Sequence, residues 1–383
     1  MILPASAGRI ILKVRRMHMK YGIVSRTEDG VFRYQSWPTV ARAKDGTLFV
    51  GCSGHRLSHF CPFGKNYLYE SSDEGETWVG PRIINDSYLD DRDVGLVAWG
   101  ESNLLMCSCN HSPQQYAQWD KISAGRPHYK LCEPLAMGMR THWETVPEEK
   151  LERRSIVRIS HDNGRTWSEK RDAPVFAPHG PTILPDGGIL YVGRKYDLNR
   201  TDKDVLAYVS YDEGRSWEFR SQIPYPAELK DDLLSEPFAL VLPDGEIFLA
   251  VRSQGVPSTT TLKIYTTRST DGGRNWSQPQ LLDLKGAPPH LLCHSSGALL
   301  LTYGRRVEPM GEYVRVSRDE GRTWSKDVRI SPESVDWDHG YPTSVELDNG
   351  DILTVYYGKC PGDDFTSIQY VRYSLEEAEK GCE

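Results

Sequence analysis

One eight-residue pattern, Ser-x-Asp-x-Gly-x-Thr-Trp, recurs five times and constrains the fold more than any other feature of the chain. It runs from Ser71 to Trp78, Ser160 to Trp167, Ser210 to Trp217, Ser269 to Trp276 and Ser317 to Trp324. Each part has a physical job. The aspartate accepts hydrogen bonds from the amides of a tight turn. The glycine supplies a positive φ. The tryptophan buries a large apolar area against the turn. A short strand precedes each copy, for example Ser155 to Ile159. The pattern is therefore a clasp joining two outer strands. An active site needs different residues gathered at one place, so five copies of one turn are architecture.

A second, weaker repeat precedes the clasps. It opens at Trp37, Gly180, Glu236, His290 and Tyr341, often followed by Pro-Thr, with a degenerate sixth copy near Asp93. Its turns are Asp45-Gly46, Asp186-Gly187, Asp244-Gly245, Ser296-Gly297 and Asn349-Gly350, and apolar strands such as Glu246 to Val251 follow. Such dipeptides between apolar runs are hairpin signals. Six inner hairpins and five clasped outer hairpins, four strands to a unit, predict an all-β chain folded as a six-bladed β-propeller with five clasp hairpins. The clasp aspartates lie 162 − 73 = 89, then 50, 59 and 48 residues apart. The long spacing predicts an insertion in the second blade, about 111–153, with a short helix around Pro147 to Arg153. The expected organisation is an extension over 1–18, one propeller over 19–376 and a tail over 377–383. An early strand, Ile10 to Val14 or Tyr21 to Val24, is expected to complete the last blade. Gly 33, Pro 24, Tyr 20 and Trp 10 suit turns and aromatic strands rather than helices.

The net charge is 46 − 53 = −7. A mildly acidic chain has no bulk attraction to nucleic acid or an anionic membrane. No apolar run approaches a membrane span. The first twenty residues lack the ordered regions of a secretory signal. Eight cysteines show neither a disulfide ladder nor paired Cys-x-x-Cys units, so no zinc site is expected, and free thiols in the cytoplasm are. Thiol counting on the unfolded, unreduced protein should return close to eight; two or fewer would mean an oxidising compartment. No phosphate loop or dinucleotide fingerprint is present, and no cofactor is expected. Oligomeric state is not legible.

The residues leading the inner hairpins all differ, while the backbone repeats. That is how a site grafted on a symmetric fold looks in sequence. The following strands end in cations: Arg56, Arg194, Arg252, Arg305 with Arg306, and Lys359. Convergent guanidinium groups suit a carboxylate-bearing ligand.

These repeats resemble the sialidase superfamily, over Tyr21 to about Tyr373. The resemblance implies a six-bladed propeller, with the repeated clasp as its Asp box, and a sialidase-like exo-glycosidase acting on a carbohydrate substrate. Ser235-Glu236, then Leu242 to Gly245 and Arg252, resembles the stretch holding the family's catalytic glutamate and a carboxylate-binding arginine. Tyr341 before Val345 to Gly350 resembles the stretch headed by its tyrosine nucleophile. Arg305 or Arg306 falls where another arginine of the triad would. Two positions depart from the family. Ser36-Trp37-Pro38 stands where Arg-Ile-Pro would, leaving Arg33 or Arg56 as substitutes. The loop His55 to Lys65 lacks the acid/base aspartate, which leaves Asp90, Asp91, Asp93, His55 or His59 for proton transfer. The expected site is thus Tyr341, Glu236, Asp93 and His59 for catalysis, and Arg56, Arg194, Arg252, Arg305, Trp37 and His55 for binding, with no metal. A uronate lyase using histidine and tyrosine and a non-catalytic glycan-binding propeller are the competing readings.

Overall fold

The computed structural model describes residues 19–113, 129–151, 154–195, 204–226, 228–229, 233–255 and 262–381. Within them, twenty-four strands, β1 to β24 in chain order, form six four-stranded antiparallel sheets. Each sheet begins with an inner strand: β2 (Tyr34–Arg42), β6 (Asp90–Trp99), β10 (Thr182–Ile183), β14 (Leu233–Val241), β18 (Pro289–Cys293) and β22 (Gly340–Glu346). The expected Gly turns join each inner strand to the next. At the first, Ala43 N donates to Thr47 O and Gly46 N to Ala43 O. The sixth sheet is composite. β1 (Lys20–Ser25) pairs antiparallel with β24 (Thr366–Tyr373), Lys20 opposite Arg372, and closes the ring. Of the two early strands the sequence offered, the Tyr21 to Val24 segment does this; the other lies outside the described residues.

The core lies between blades rather than within them. One apolar cluster joins Phe49 and Leu68 of the first blade to Val94 and Met106 of the second. Others join Leu105 to Ile189, Leu190 to Leu249, Phe248 to Leu301, Leu300 to Ile352, and Val50 to Leu353 across the closing seam. Alternation along each strand sends one set of side chains to each neighbour, which is why the strands are apolar on both faces.

The five clasps sit between the third and fourth strands of five blades. In each, the serine hydroxyl bonds the aspartate and receives the glycine amide; Ser210 lies 2.8 Å from Asp212 and 2.7 Å from Gly214 N. Asp212 also accepts the side chain and amide of Ser216, at 2.6 and 2.8 Å. These two bonds, side chain first, hold its carboxyl down at about 2. The clasps also lock neighbouring blades, which the sequence did not reveal. Arg82 donates to Gly164 O and Arg220 to Gly272 O, each reaching from one blade into the next blade's turn. Gly75, at φ +85°, has no room for a Cβ, which would lie 2.6 Å from Leu353 of the adjoining blade. Asp212→Ala should lower stability by about 1–3 kcal/mol through unpaired turn amides. Denaturant titration checks this, and activity lost without a shift of the unfolding midpoint would overturn the structural role.

The insertion leaves the second blade between β7 (Asn103–His111) and β8 (Ser155–Ser160), as the spacing predicted. Its helix is earlier and longer than expected: α1 spans Tyr129–Trp143, and only a three-residue 3-10 turn, Glu148–Lys150, falls near Pro147. The Pro-and-charge signal marked the exit from the helix rather than the helix itself. Trp143 anchors α1 by donating to Tyr88 O at 2.5 Å and packing on Leu57, Cys61 and Leu89 at the mouth of the ring. The expected tail is also corrected. Residues 377–380 belong to α2 (Leu375–Lys380), capped by Ser374, with Ala378 buried in the core between the last two blades. Cys52, Cys61, Cys107, Cys109, Cys293 and Cys360 carry free thiols. Residues 1–18 lie outside the described residues.

Candidate active site

The residues that lead the inner hairpins share an unusual backbone. Trp37, Asp93, Glu236 and Tyr341 have φ of 53°, 34°, 51° and 56°, and Gly180 has 90°. At β2, β6, β14 and β22 the ladder slips there, between Ser36 and Thr39, Arg92 and Gly95, Ser235 and Phe238, and Gly340 and Thr343. These are β-bulges, which re-aim one side chain out of the alternation. Left-handed backbone costs a non-glycine residue on the order of 1–3 kcal/mol, so four such residues at matching places mark where the fold gives up stability to direct side chains. His290 is the exception: β18 pairs in unbroken register.

The bulges bring Tyr341 and Glu236 together although 105 residues separate them. The Tyr341 hydroxyl donates to Glu236 Oε1 at 2.7 Å. Arg252 Nη1 holds the other oxygen, Oε2, at 2.5 Å. Burial pushes the Glu236 carboxyl up, but Arg252, the two hydrogen bonds and Arg306 outweigh it and hold the group below its ordinary value. Glu236 is therefore an anion. Tyr341 is raised well above 10 by burial, then by the negative charges of Glu236 and Asp93. The phenol stays protonated and hydrogen-bonded to a ready acceptor. Asp93 lies beside this pair, acting electrostatically on both.

Arg306, rather than Arg305, is the cation of the fifth blade at the axis. Its guanidinium lies over the Tyr341 ring, 5.9 Å from the centroid, and donates to His339 O at 3.0 and 2.8 Å and to the Tyr357 hydroxyl at 3.3 Å. Its hydrogen bonds go to neutral oxygens, while its charge acts on the nearby carboxylates of Glu236 and Asp338. Arg305 turns outward to Glu308 O and Asp327. Consecutive residues at a strand end point opposite ways, and the sequence did not decide which faced inward.

Arg56 is also corrected. It is wholly buried, bound to Asp90 through both terminal nitrogens and to Ser53 and His59 O. Asp90 also holds Arg92, which covers the face of Trp37 at 3.8 Å. Trp37 is only 2% exposed. It supports the site from beneath instead of offering a ligand surface. Arg194 ends β11 (Ile189–Arg194), half-buried, its backbone bridged to Phe176. His55 is stacked on Phe32 at 4.0 Å, in the rim cluster with Phe63. Lys359 is paired with Asp336.

His59 belongs to a second polar cluster across the seam between first and sixth blades. Its Nδ1 lies 3.0 Å from Asp338 Oδ1 and 3.0 Å from the Tyr34 hydroxyl. Tyr34 and Tyr357 also donate to Asp338, at 2.9 and 3.2 Å. Burial pushes Asp338 up, but His59, Tyr34 and Arg306 outweigh it and hold it ionised. Burial holds the imidazole down at about 4. A neutral ring donating Nδ1–H to a carboxylate carries its lone pair on Nε2. Asp338 and Arg92 were missed from sequence. Asp338 precedes its hairpin in an irregular loop with no repeat to flag it. Beneath the pair, the rings of His179, Phe238 and His290 close the axis; His179 sits 5.9 Å from Tyr341. Among the described residues, no group of three or more His, Cys, Asp or Glu is arranged to hold a metal ion, and no helix is long and apolar enough to cross a membrane.

The fold is that of the sialidase-like six-bladed propellers. A protein of unknown function from Dyadobacter fermentans superposes with a TM-score of 0.74 at 19% identity, over 93% of this chain and 99% of its own. The NanB sialidase of Streptococcus pneumoniae gives 0.67 at 14%, over 93% and 71%. The intramolecular trans-sialidase of Ruminococcus gnavus gives 0.62 at 13%, over 93% and 98%. No curated protein matches by sequence. The model of the BNR repeat-like domain family matches residues 136–355, which is 220 of 383 residues, and the chain belongs to that family.

Proposed function

We propose that the protein is an exo-acting glycoside hydrolase for a sugar bearing a carboxylate, with Tyr341 as nucleophile and Glu236 as its base. The observation that carries this reading is the 2.7 Å hydrogen bond from Tyr341 to an ionised Glu236 at the propeller axis. A phenol at its ordinary pKa of about 10 is a weak nucleophile. A carboxylate already in hydrogen-bond contact can take its proton as the oxygen attacks. A neutral nucleophile also avoids repulsion with an anionic substrate, which suits tyrosine better than the usual carboxylate. Arg306, whose hydrogen bonds go to neutral oxygens beside Glu236 and Asp338, supplies a cation for that substrate's carboxylate. The sialidases and trans-sialidases that share the fold support a carbohydrate ligand.

A second reading, a uronate lyase, draws on His59. A neutral imidazole oriented by Asp338 is a competent base for removing a proton next to a carboxylate. A panel of aryl glycosides and uronate polymers with product mass analysis separates the two. The hydrolase releases a reducing sugar without the ultraviolet absorbance of a new double bond, and the lyase creates that absorbance. Retained affinity with neither product would favour a glycan-binding propeller.

A further inference from the structure

One residue of the sixth blade is gripped at both ends by one hairpin of the fifth. β19 (Leu299–Arg305) and β20 (Gly311–Ser317) pair antiparallel, Gly304 opposite Glu312. Arg306, just past the end of β19, donates through Nε and one terminal nitrogen to the backbone oxygen of His339, at 3.0 and 2.8 Å. Glu312, on β20, takes the side chain of the same residue: His339 Nδ1 lies 2.7 Å from Glu312 Oε1. The His339 side chain is 1% exposed and that of Glu312 0%. Two glycines allow the close approach; a Cβ on Gly304 would lie 3.0 Å from Gly340 Cα and 3.1 Å from Glu312 Oε2. His339 Nε2 and Glu312 Oε2 have no hydrogen-bond partner, and burying polar atoms unpaired is costly. Joining two blades does not need such a pair, since apolar side chains of similar volume often serve as well or better. What the hydrogen bond adds is direction. It fixes how His339 is turned, and so where its carbonyl points.

We propose that Glu312 and His339 are positioning residues for the ligand's carboxylate, acting on it through Arg306. Glu312 holds the His339 side chain, the His339 carbonyl holds the Arg306 guanidinium beside the Tyr341 ring, and Arg306 meets the carboxylate. This rests on the hydrolase reading and on the part Arg306 plays in it. A guanidinium binds a carboxylate best through two parallel hydrogen bonds, so its plane must be set as well as its place. The two-point hold of the His339 carbonyl sets that plane. The remaining bond, to the Tyr357 hydroxyl at 3.3 Å, is longer and reaches only one nitrogen. Tyr341 follows His339 by two residues but has its own anchor in Glu236. Loosening His339 should therefore displace the cation and leave the nucleophile with its base.

The test is Glu312→Leu, assayed on nitrophenyl glycosides of glucuronate, galacturonate and N-acetylneuraminate, each as the free acid and as its methyl ester. For the acid that the wild type turns over, KM should rise between about 10- and 100-fold while kcat stays within about 3-fold, the split that marks lost binding rather than lost chemistry. KM for the ester, which offers Arg306 no charge, should change by less than about 3-fold. Glu312→Gln keeps an oxygen to accept from Nδ1–H and should stay near wild type on both. A merely structural pair would not separate acid from ester. Equal effects on the two, no effect, or no recovery in Glu312→Gln would each overturn the assignment and leave the hydrolase reading standing. Arg306→Ala detects failure of the reading beneath it. If that variant still prefers acid to ester, or if the wild type shows no such preference, Arg306 does not hold the carboxylate and the assignment falls with it. If Glu312→Leu does not fold, Glu312→Asp decides. It draws the carboxyl back by one methylene, so the same acid-only rise in KM is expected, and an unchanged KM would overturn the proposal.

Discussion

Tyr341→Phe should lower kcat by about three orders of magnitude or more while KM stays within a factor of a few. At about 1.4 kcal/mol per tenfold, that is roughly 4 kcal/mol of transition-state stabilisation removed with one oxygen. The ring keeps its contacts with His179 and Tyr357, so pocket shape persists and binding is retained. Glu236 loses one hydrogen bond but keeps Arg252, so it stays ionised and the fold is little affected. Steady-state kinetics with a melting curve make the measurement. Unchanged turnover would remove Tyr341 from the chemistry and favour His59 as base.

Arg252→Ala has the second largest expected effect, and its signature is pH. With the arginine gone, burial dominates and the Glu236 carboxyl moves above its unfolded value. In the wild type its lowered pKa contributes stability present above the unfolded pKa and lost as pH falls through the folded one. In the variant the sign reverses, and the deficit is largest at neutral pH and shrinks once Glu236 is protonated. The cost at pH 7 should be about 3 kcal/mol, at the lower end for breaking a buried pair, because Glu236 retains 23% exposure. The acid limb of kcat/KM should also shift to higher pH, since a protonated Glu236 cannot receive the tyrosine proton. Denaturation at pH 7 and pH 4 tests the first part; an equal deficit at both would mean that Arg252 does not hold the charge of Glu236.

What was legible in the sequence follows from the repeats. Their period fixes blade number, and the unrepeated residues at matching places, Glu236, Asp93 and Tyr341, lead the bulged strands. The bulges themselves were not legible, because the left-handed backbone falls on Trp, Asp, Glu and Tyr instead of the glycine that usually advertises it. The arginines were only half legible. A strand-end cation is visible in sequence, but its partner is not. Asp90 neutralises Arg56 from the next blade, and a one-residue alternation separates Arg306 from Arg305. The Asp338 cluster joins positions 34, 59, 338 and 357, which no local pattern connects.

The closing pair of β1 and β24 ties assembly of the axial site to completion of the ring. Five blades assemble from neighbouring segments. The sixth pairs Lys20 with Arg372, 372 − 20 = 352 residues along the chain, and long-range pairings form late because loop-closure entropy must be met first. Tyr34, Trp37 and His59 stand on one side of that seam, and Asp338, Tyr341 and Tyr357 on the other. A chain with five good blades and an open seam would keep most of its core and have no assembled pocket. Proteolytic loss of residues 20–25 should therefore abolish ligand binding at the axis well before it unfolds the chain, so that binding reports an intact circumference and circular dichroism does not.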